Sequence, residues 1–327
     1  MAQENGVEQV AYDSWTTDFL NRHGFTLRKA TNLTTLTDSQ LAQRAVDYIS
    51  YLQSRLNALS LQKTLLMDET AIYFEDPRTH IVDTRGARHV VLKSTGFASM
   101  RITAAVSVWA NGRKASPLVI HKGKDNGTIF RQNGSILYTT QLKAWVNSDL
   151  IIAWIDALFP LIDTSHGKCI VWDSCRAHVS KKVKDHCKKR RIESIIIPGG
   201  MTLYLQAGDI GIFRELKNHL SLIIDSWKNS ANVEYTKNGN PKAPDHSIVQ
   251  SWVSDAWTKV SMDTIASSIK AAGFHRDSQE WFITKHDVYG EEFSKAWSER
   301  MEMDIELSQL EAIPQDDELF DCIDDNM

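Results

Sequence analysis

The sequence predicts an α/β protein: a mixed sheet with helices on both faces. Apolar, β-branched runs come first, over residues 64–74, 102–110 and 116–121. After residue 147 the pattern changes to helix, strand, helix, strand, helix. Strands joined by tight turns pair antiparallel, whereas strands joined through helices pair parallel, so a sheet holding both kinds is mixed and needs helical cover.

Thr37 and Gln40 form a capping-box pattern. Behind it Leu41, Ala45, Ile49, Leu52, Leu56 and Leu59 keep helical spacing, giving a linking helix over 37–62. Residues 64–74, TLLMDETAIYF, read as a strand around Asp68. Residues 81–93 place Arg85-Gly86 between two β-branched runs. Asn111-Gly112, between the next two runs, is a strong hairpin signal. Gly123, Gly127 and Gly134 punctuate a loop, and Asn147 caps a helix carrying Leu150, Ile151, Trp154, Ile155 and Leu158. Residues 168–173 are a strand, 178–190 a basic helix and 193–198 a second buried strand. Ile212, Phe213, Leu216, Leu220, Ile223, Ile224 and Trp227 then form one helical stripe. Residues 230–244 are a linker by composition, and 247–260 and 262–272 are two amphipathic helices.

Composition excludes several classes. Of 327 residues, 42% are hydrophobic and 24% charged, which is globular, and no apolar run reaches the roughly 18 residues of a membrane span. MAQENGVEQV has neither the basic nor the apolar region of a signal peptide. Four cysteines without a CxxC fit a reducing compartment. The net charge of −4 is uneven: residues 301–327 hold ten acidic residues and no Lys or Arg, which leaves 37 basic against 31 acidic residues, or +6, for residues 1–300. Residues 291–327 are therefore expected to be a solvated acidic tail on a mildly basic body.

Three aspartates carry the chemistry. Asp173 ends the strand in CIVWDSCRAHVS, where ligands of α/β domains bind. Asp68 lies in the first strand, which can neighbour it. Asp209 precedes Ile212 and Phe213 by three and four residues and so is expected on the buried side of that helix, where an ionised carboxylate needs a partner such as a metal ion. Oxygen ligands from three elements suit Mg²⁺ or Mn²⁺. Two such ions about 4 Å apart can activate an attacking oxygen and stabilise a leaving one in phosphoryl transfer.

The segments MDET (67–70), TAAVSVWANGRKASPLVIHKGK (103–124), VWDSCRAHVS (171–180) and IIIPGGMTLYLQAGDIGIFRELK (195–217) resemble the DDE-superfamily transposases of the pogo/Tigger type, related to the Tc1/mariner group. Residues 252–274 resemble the C-terminal helical segment of that family, so the likeness runs from about residue 13 to 275. It implies an RNase H-like fold: a mixed five-stranded sheet with flanking helices over 63–230, helical N- and C-terminal segments, the latter over 231–290. It also implies an acidic triad of Asp68, Asp173 and Asp209 holding two Mg²⁺ or Mn²⁺ ions, with hydrolysis of a DNA phosphodiester followed by attack of the freed 3′-hydroxyl on a target. Double-stranded DNA, as element ends and target, would be the partner, with a nuclear location and a homodimer as further expectations. Residues 14–32 resemble the end of a centromere-protein-B type helix-turn-helix domain, so 1–36 are expected to be its remnant and linker. The chain departs from the family at Pro198-Gly199-Gly200, where Pro-Pro-Asn is usual, at Gln206-Ala207, where Gln-Pro is usual, and at Ser174-Cys175-Arg176-Ala177.

Around the triad, His178 either orients Asp173 or contacts a phosphate, the bland alternative being a helix-start histidine with local hydrogen bonds. Glu69 points opposite to Asp68 on a strand. Lys181, Lys182, Lys184, Lys188, Lys189, Arg190 and Arg191 form a basic run beyond Asp173 and, with Lys122 and Lys124, are candidate phosphate contacts, the bland alternative being a solvated face. His166, Cys169, Cys175 and His178 make an HxxC…CxxH pattern with zinc-like ligands, but wrapping them round one ion would break the strand between them. Tryptophans such as Trp154, Trp227 and Trp252 fall on apolar stripes. The alternatives to a cutting enzyme are a domesticated or degenerate relative that binds DNA or protein without catalysis, and a zinc-stabilised interaction module.

Overall fold

The computed structural model describes residues 36–74, 101–124, 129–237 and 241–311, with Trp15, Asp18, Phe19 and 21–23 before them. The expected helix-turn-helix remnant, apart from those few residues, and the two β-branched runs about Arg85-Gly86 over 81–93 lie outside the described residues.

Helix α1 (Asp38–Arg55) opens with the expected capping box: the Gln40 N–H donates to Thr37 Oγ1 and the Thr37 N–H to Gln40 Oε1. Strands β1 (Thr64–Tyr73), β2 (Arg101–Trp109) and β3 (Leu118–Lys122) form an antiparallel meander, with the Asn111-Gly112 turn between β2 and β3 held by Gly112 at φ 91°. Asn147 caps α2 (Ser148–Leu158), accepting from the Leu150 N–H at 2.9 Å. Then come β6 (Lys168–Trp172), α3 (Lys181–Lys189) and β7 (Ile192–Ile196), as expected from the alternation.

Among the described residues the sheet has seven strands, where five were expected. Its order is β4-β5-β3-β2-β1-β6-β7. Its core, β3-β2-β1-β6-β7, sets β1 beside β6, the neighbours that the sequence allowed for Asp68 and Asp173. The additions are β4 (Arg131–Asn133) and β5 (Ile136–Gln141), a hairpin turned at Gly134 (φ 57°) inside the stretch that reads as a loop. Its β5 pairs parallel to β3. β4 is three exposed polar residues, so it lacks the apolar alternation that marks a half-buried strand.

Two apolar layers sandwich the sheet. Leu65, Met67, Ile170 and Trp172 face α2 and α3, packing on Trp154, Ile155 and Val183. Leu66, Ile72, Cys169 and Val171 face α1 and the C-terminal helices. Those helices are the four-residue α4 (Thr202–Leu205), α5 (Phe213–Lys228), α6 (His246–Lys259), α7 (Met262–Ile269) and α8 (Gly290–Glu311). α8 corrects the expected tail. It runs from Gly290 to Glu311, so the first part of residues 291–327 is a helix packed on α1, with Phe293 fully buried and Arg300 3.9 Å from Asp47, because Phe293 and Trp297 share one apolar face; the rest of the expected tail lies outside the described residues. None of the described helices is long and apolar enough to cross a membrane.

Candidate active site

Parallel pairing of β1 with β6 brings the first two aspartates together. Thr64 pairs with Cys169, Leu65 with Ile170 and Leu66 with Val171. Continued by two residues, this register sets Asp68 opposite Asp173, and strand alternation puts both on the face of α1 and α5. β1, β3, β5, β6 and β7 all run the same way. Asp173 therefore stands at the C-terminal edge of the parallel strands, where open α/β sheets form their sites.

Asp68 is under electrostatic stress. Its Oδ1 accepts from the Glu69 N–H at 2.7 Å, but Oδ2 is buried with no hydrogen-bond partner. Burial first, then the charges of Asp209, Asp173 and Glu69, push its pKa well above the usual carboxylate range. Asp173 goes the other way. Burial alone would raise it, but the bond to His178 and the Cys175 N–H at 3.0 Å hold it low.

His178 is the hub of this side. Its Nδ1 lies 2.6 Å from Asp173 Oδ1, its Nε2 3.2 Å from Glu69 Oε1, and its ring stacks on Trp172 at 4.7 Å. Burial would lower its pKa, yet two carboxylate partners push it up to about 10. The ring is thus an imidazolium that donates from both nitrogens. The structure therefore gives His178 a contact to Asp173 and one to Glu69. Glu69 points away from Asp68 as expected, and it reaches the site through His178 instead.

Asp209 differs from expectation. It sits in a π-type turn, Gly208–Ile212, and is exposed rather than turned to the core with Ile212 and Phe213. A wider turn breaks the three-and-four spacing of the α-helix, so the stripe that places Ile212 does not place Asp209. Packing around it raises its pKa, the Thr202 side chain and Lys217 offset this, and Asp173 adds to it. The three carboxylates feel one another, but their oxygens do not all lie within 4.8 Å. Among the described residues the group that does is Asp173, Cys175 and His178. Lys217, two helical turns beyond Asp209, was not singled out by sequence reasoning; the i, i+8 spacing was its only signal.

The basic run divides. α3 leads the chain back between two parallel strands, so its start lies near Asp173 and its end at the opposite sheet edge. Lys181, Lys182 and Lys184 are exposed on its first turns, with Lys182 paired to Asp149. Lys188, Lys189 and Arg191 are exposed about 12 Å further on, given 1.5 Å of rise per residue. Arg190 is bound internally, to Asp156 and the Phe159 carbonyl, which removes it from any outer surface. Lys122 and Lys124 are exposed at the same sheet edge as Asp173. The HxxC…CxxH residues do not converge: His166 is exposed before β6, Cys169 is buried within it and Cys175 is exposed beyond it.

The family model described as DDE superfamily endonuclease matches residues 99–269. The chain belongs to that family. The match includes Asp173 and Asp209 and begins after Asp68. Among curated proteins, the Pogo transposable element with KRAB domain of Homo sapiens is 24% identical over 293 residues, covering 86% of this chain and 47% of its own length. Its Mus musculus counterpart is 23% identical over 283 residues, covering 83% and 46%. The chain thus spans about half the length of these relatives, and the pogo-type resemblance read from the sequence is borne out. Among solved structures, a chain of the Mos1 strand transfer complex superposes with a TM-score of 0.52 at 12% identity, covering 88% of this chain and 69% of that one. The RNase H-like fold of this DDE family member agrees with the expectation.

Proposed function

We propose that this DDE family member is a metal-dependent DNA endonuclease of the transposase kind, with Asp68, Asp173 and Asp209 as its acidic triad. The supporting observation is Asp68 Oδ2, a buried carboxylate oxygen with no hydrogen-bond partner that also feels the charges of Asp209 and Asp173: a bound cation would offset both its burial and that repulsion. The donors are all oxygens, which fits Mg²⁺ or Mn²⁺. Two such ions, when bound, would supply the charge that activates an attacking oxygen and stabilises the departing one.

The protein's own residues then have separate tasks. Asp68 is fixed by its strand and by Gly208. His178 holds Asp173 at one oxygen and keeps it ionised at neutral pH. Asp209, exposed on the third element, would supply the third carboxylate. Lys122, Lys124, Lys181, Lys182 and Lys184 lie where DNA phosphates entering the edge would pass. Double-stranded DNA, cut and joined in the nucleus by a homodimer, completes the reading.

The test is nicking of supercoiled plasmid with Mg²⁺ or Mn²⁺, comparing the chain fused to a DNA-binding domain with its Asp173→Ala variant. Nicking by the parent alone supports the triad. Equal nicking by both removes it. No nicking by either favours the non-catalytic alternative, which the spacing of the three carboxylates also permits.

A further inference from the structure

We propose that Asp173, Cys175 and His178 form a second metal site, selective for a thiophilic ion such as Zn²⁺, and that an ion held there withdraws Asp173 from phosphodiester chemistry. Only the last clause rests on the triad. The ligand atoms of the three residues all lie within 4.8 Å of one another. They come from one turn in the pattern Asp-x-Cys-x-x-His, which the Cys175 N–H closes onto Asp173 Oδ1 at 3.0 Å and the His178 N–H onto the Cys175 carbonyl at 3.0 Å. The chelate is therefore local and does not require the sheet to move.

His178 is already oriented for this task. Stacking on Trp172 fixes its plane, and Glu69 Oε1 sits 3.2 Å from Nε2. A carboxylate on the far ring nitrogen is the usual support of a metal-binding histidine, and it leaves Nδ1 to coordinate. Cys175 is exposed, so an ion reaches the turn from solvent and a water can fill a fourth position. Zinc takes nitrogen, sulfur and oxygen ligands together, whereas magnesium is held by oxygens and has no use for the thiolate or the imidazole. The 2.6 Å bond between His178 Nδ1 and Asp173 Oδ1 holds a proton where the ion would go. Binding releases that proton and the thiol proton to solvent as the two ligand bonds form. Of the HxxC…CxxH pattern, only Cys175 and His178 take part; Asp173 replaces the residues on the far side of the strand.

Co²⁺ titration of the purified full chain without DNA tests this. A thiolate-to-cobalt charge-transfer band should saturate at one ion per chain, persist in excess Mg²⁺ and be displaced by Zn²⁺. Cys175→Ser should abolish it, whereas Cys322→Ser should leave it. Glu69→Gln should weaken binding about 10- to 100-fold. Circular dichroism confirms that each variant folds. Absence of the band in the parent, or its survival in Cys175→Ser, overturns the proposal. Because the spectrum is read without DNA, failure of the nuclease reading leaves this result unaffected.

Discussion

A β-carbon built on Gly208 would stand 2.7 Å from Oδ2 of Asp68 and 3.0 Å from its Cβ. The third element of the site is therefore packed directly on the first, through a residue that has to be small. Phe213 closes the same space at 3.2 Å. Asp68 belongs to a strand paired on both sides and cannot retreat. Gly208→Ala is expected to destabilise the fold by about 1–3 kcal/mol, the usual range for overpacking. It should also remove any rise in Tm on adding Mg²⁺, because Asp68 is displaced. Thermal denaturation with and without Mg²⁺ reads both effects, and an unchanged Mg²⁺ response would mean that the contact does not set the carboxylate's position.

Asp68→Asn separates stability from function. The carboxylate is buried with one oxygen unpartnered, and its raised pKa means that ionisation at neutral pH opposes folding. The sign follows: stability declines as pH rises through the unfolded-state value toward the raised native one. Removing the charge should stabilise the metal-free protein by about 1–2 kcal/mol at pH 7, as substitutions at strained sites do. The same variant should lose Mg²⁺-dependent stabilisation and plasmid nicking. A metal-free Tm below that of the parent would contradict this account.

How much of this was legible in the sequence depended on whether a feature is local. The capping box at Thr37, the cap at Asn147 and the Asn111-Gly112 turn are decided within a few residues, and each is found as read. The neighbourhood of Asp68 and Asp173 followed from alternation and strand order. The β4–β5 hairpin did not, because β5 is placed by parallel pairing with β3, a long-range contact that no short window reveals. The exposure of Asp209 was hidden because a π-type turn and an α-turn have the same composition here. The basic run read as one patch until α3 carried its end to the far side of the sheet. The departure at Gly200 is benign for a physical reason. Its φ of 85° is left-handed, and Gly and Asn, the residue usual there in the family, tolerate that region best.

Ala207→Pro should stabilise the protein. Ala207 has φ −56° and ψ −33°, close to the angle that proline fixes, and it stands at a helix start, where an N–H has no intrahelical partner. Gln206 before it is extended, at φ −103° and ψ 118°, as a residue preceding proline must be. Proline would then restrict the unfolded chain without straining the folded one, worth about 0.4–1 kcal/mol. In differential scanning calorimetry this is a rise of about 1–3 °C. A fall in Tm would mean that the turn delivering Asp209 needs freedom that proline removes.

The buried imidazole of His121 gives the fold an acid sensitivity separate from the carboxylates. Its ring stacks on His246 at 3.9 Å, contacts Tyr138 edge-on and lies 3.2 Å from Gln250 Nε2, whose amide donates to it. Burial, then the neighbouring His246, lowers its pKa to about 4, with Asp245 opposing. A neutral ring in the native state and an ordinary one in the unfolded state mean that the unfolded chain binds more protons between about pH 6.5 and 4. Stability is therefore full above that window and falls as pH drops through it, by up to about 3 kcal/mol at its lower end. His121→Asn should flatten this part of the profile relative to the parent. Urea unfolding at pH 7, 6, 5 and 4 measures the difference between the two proteins, which cancels the shared titration of the carboxylates. Parallel profiles would show that His121 is not what couples β3 and α6 to pH.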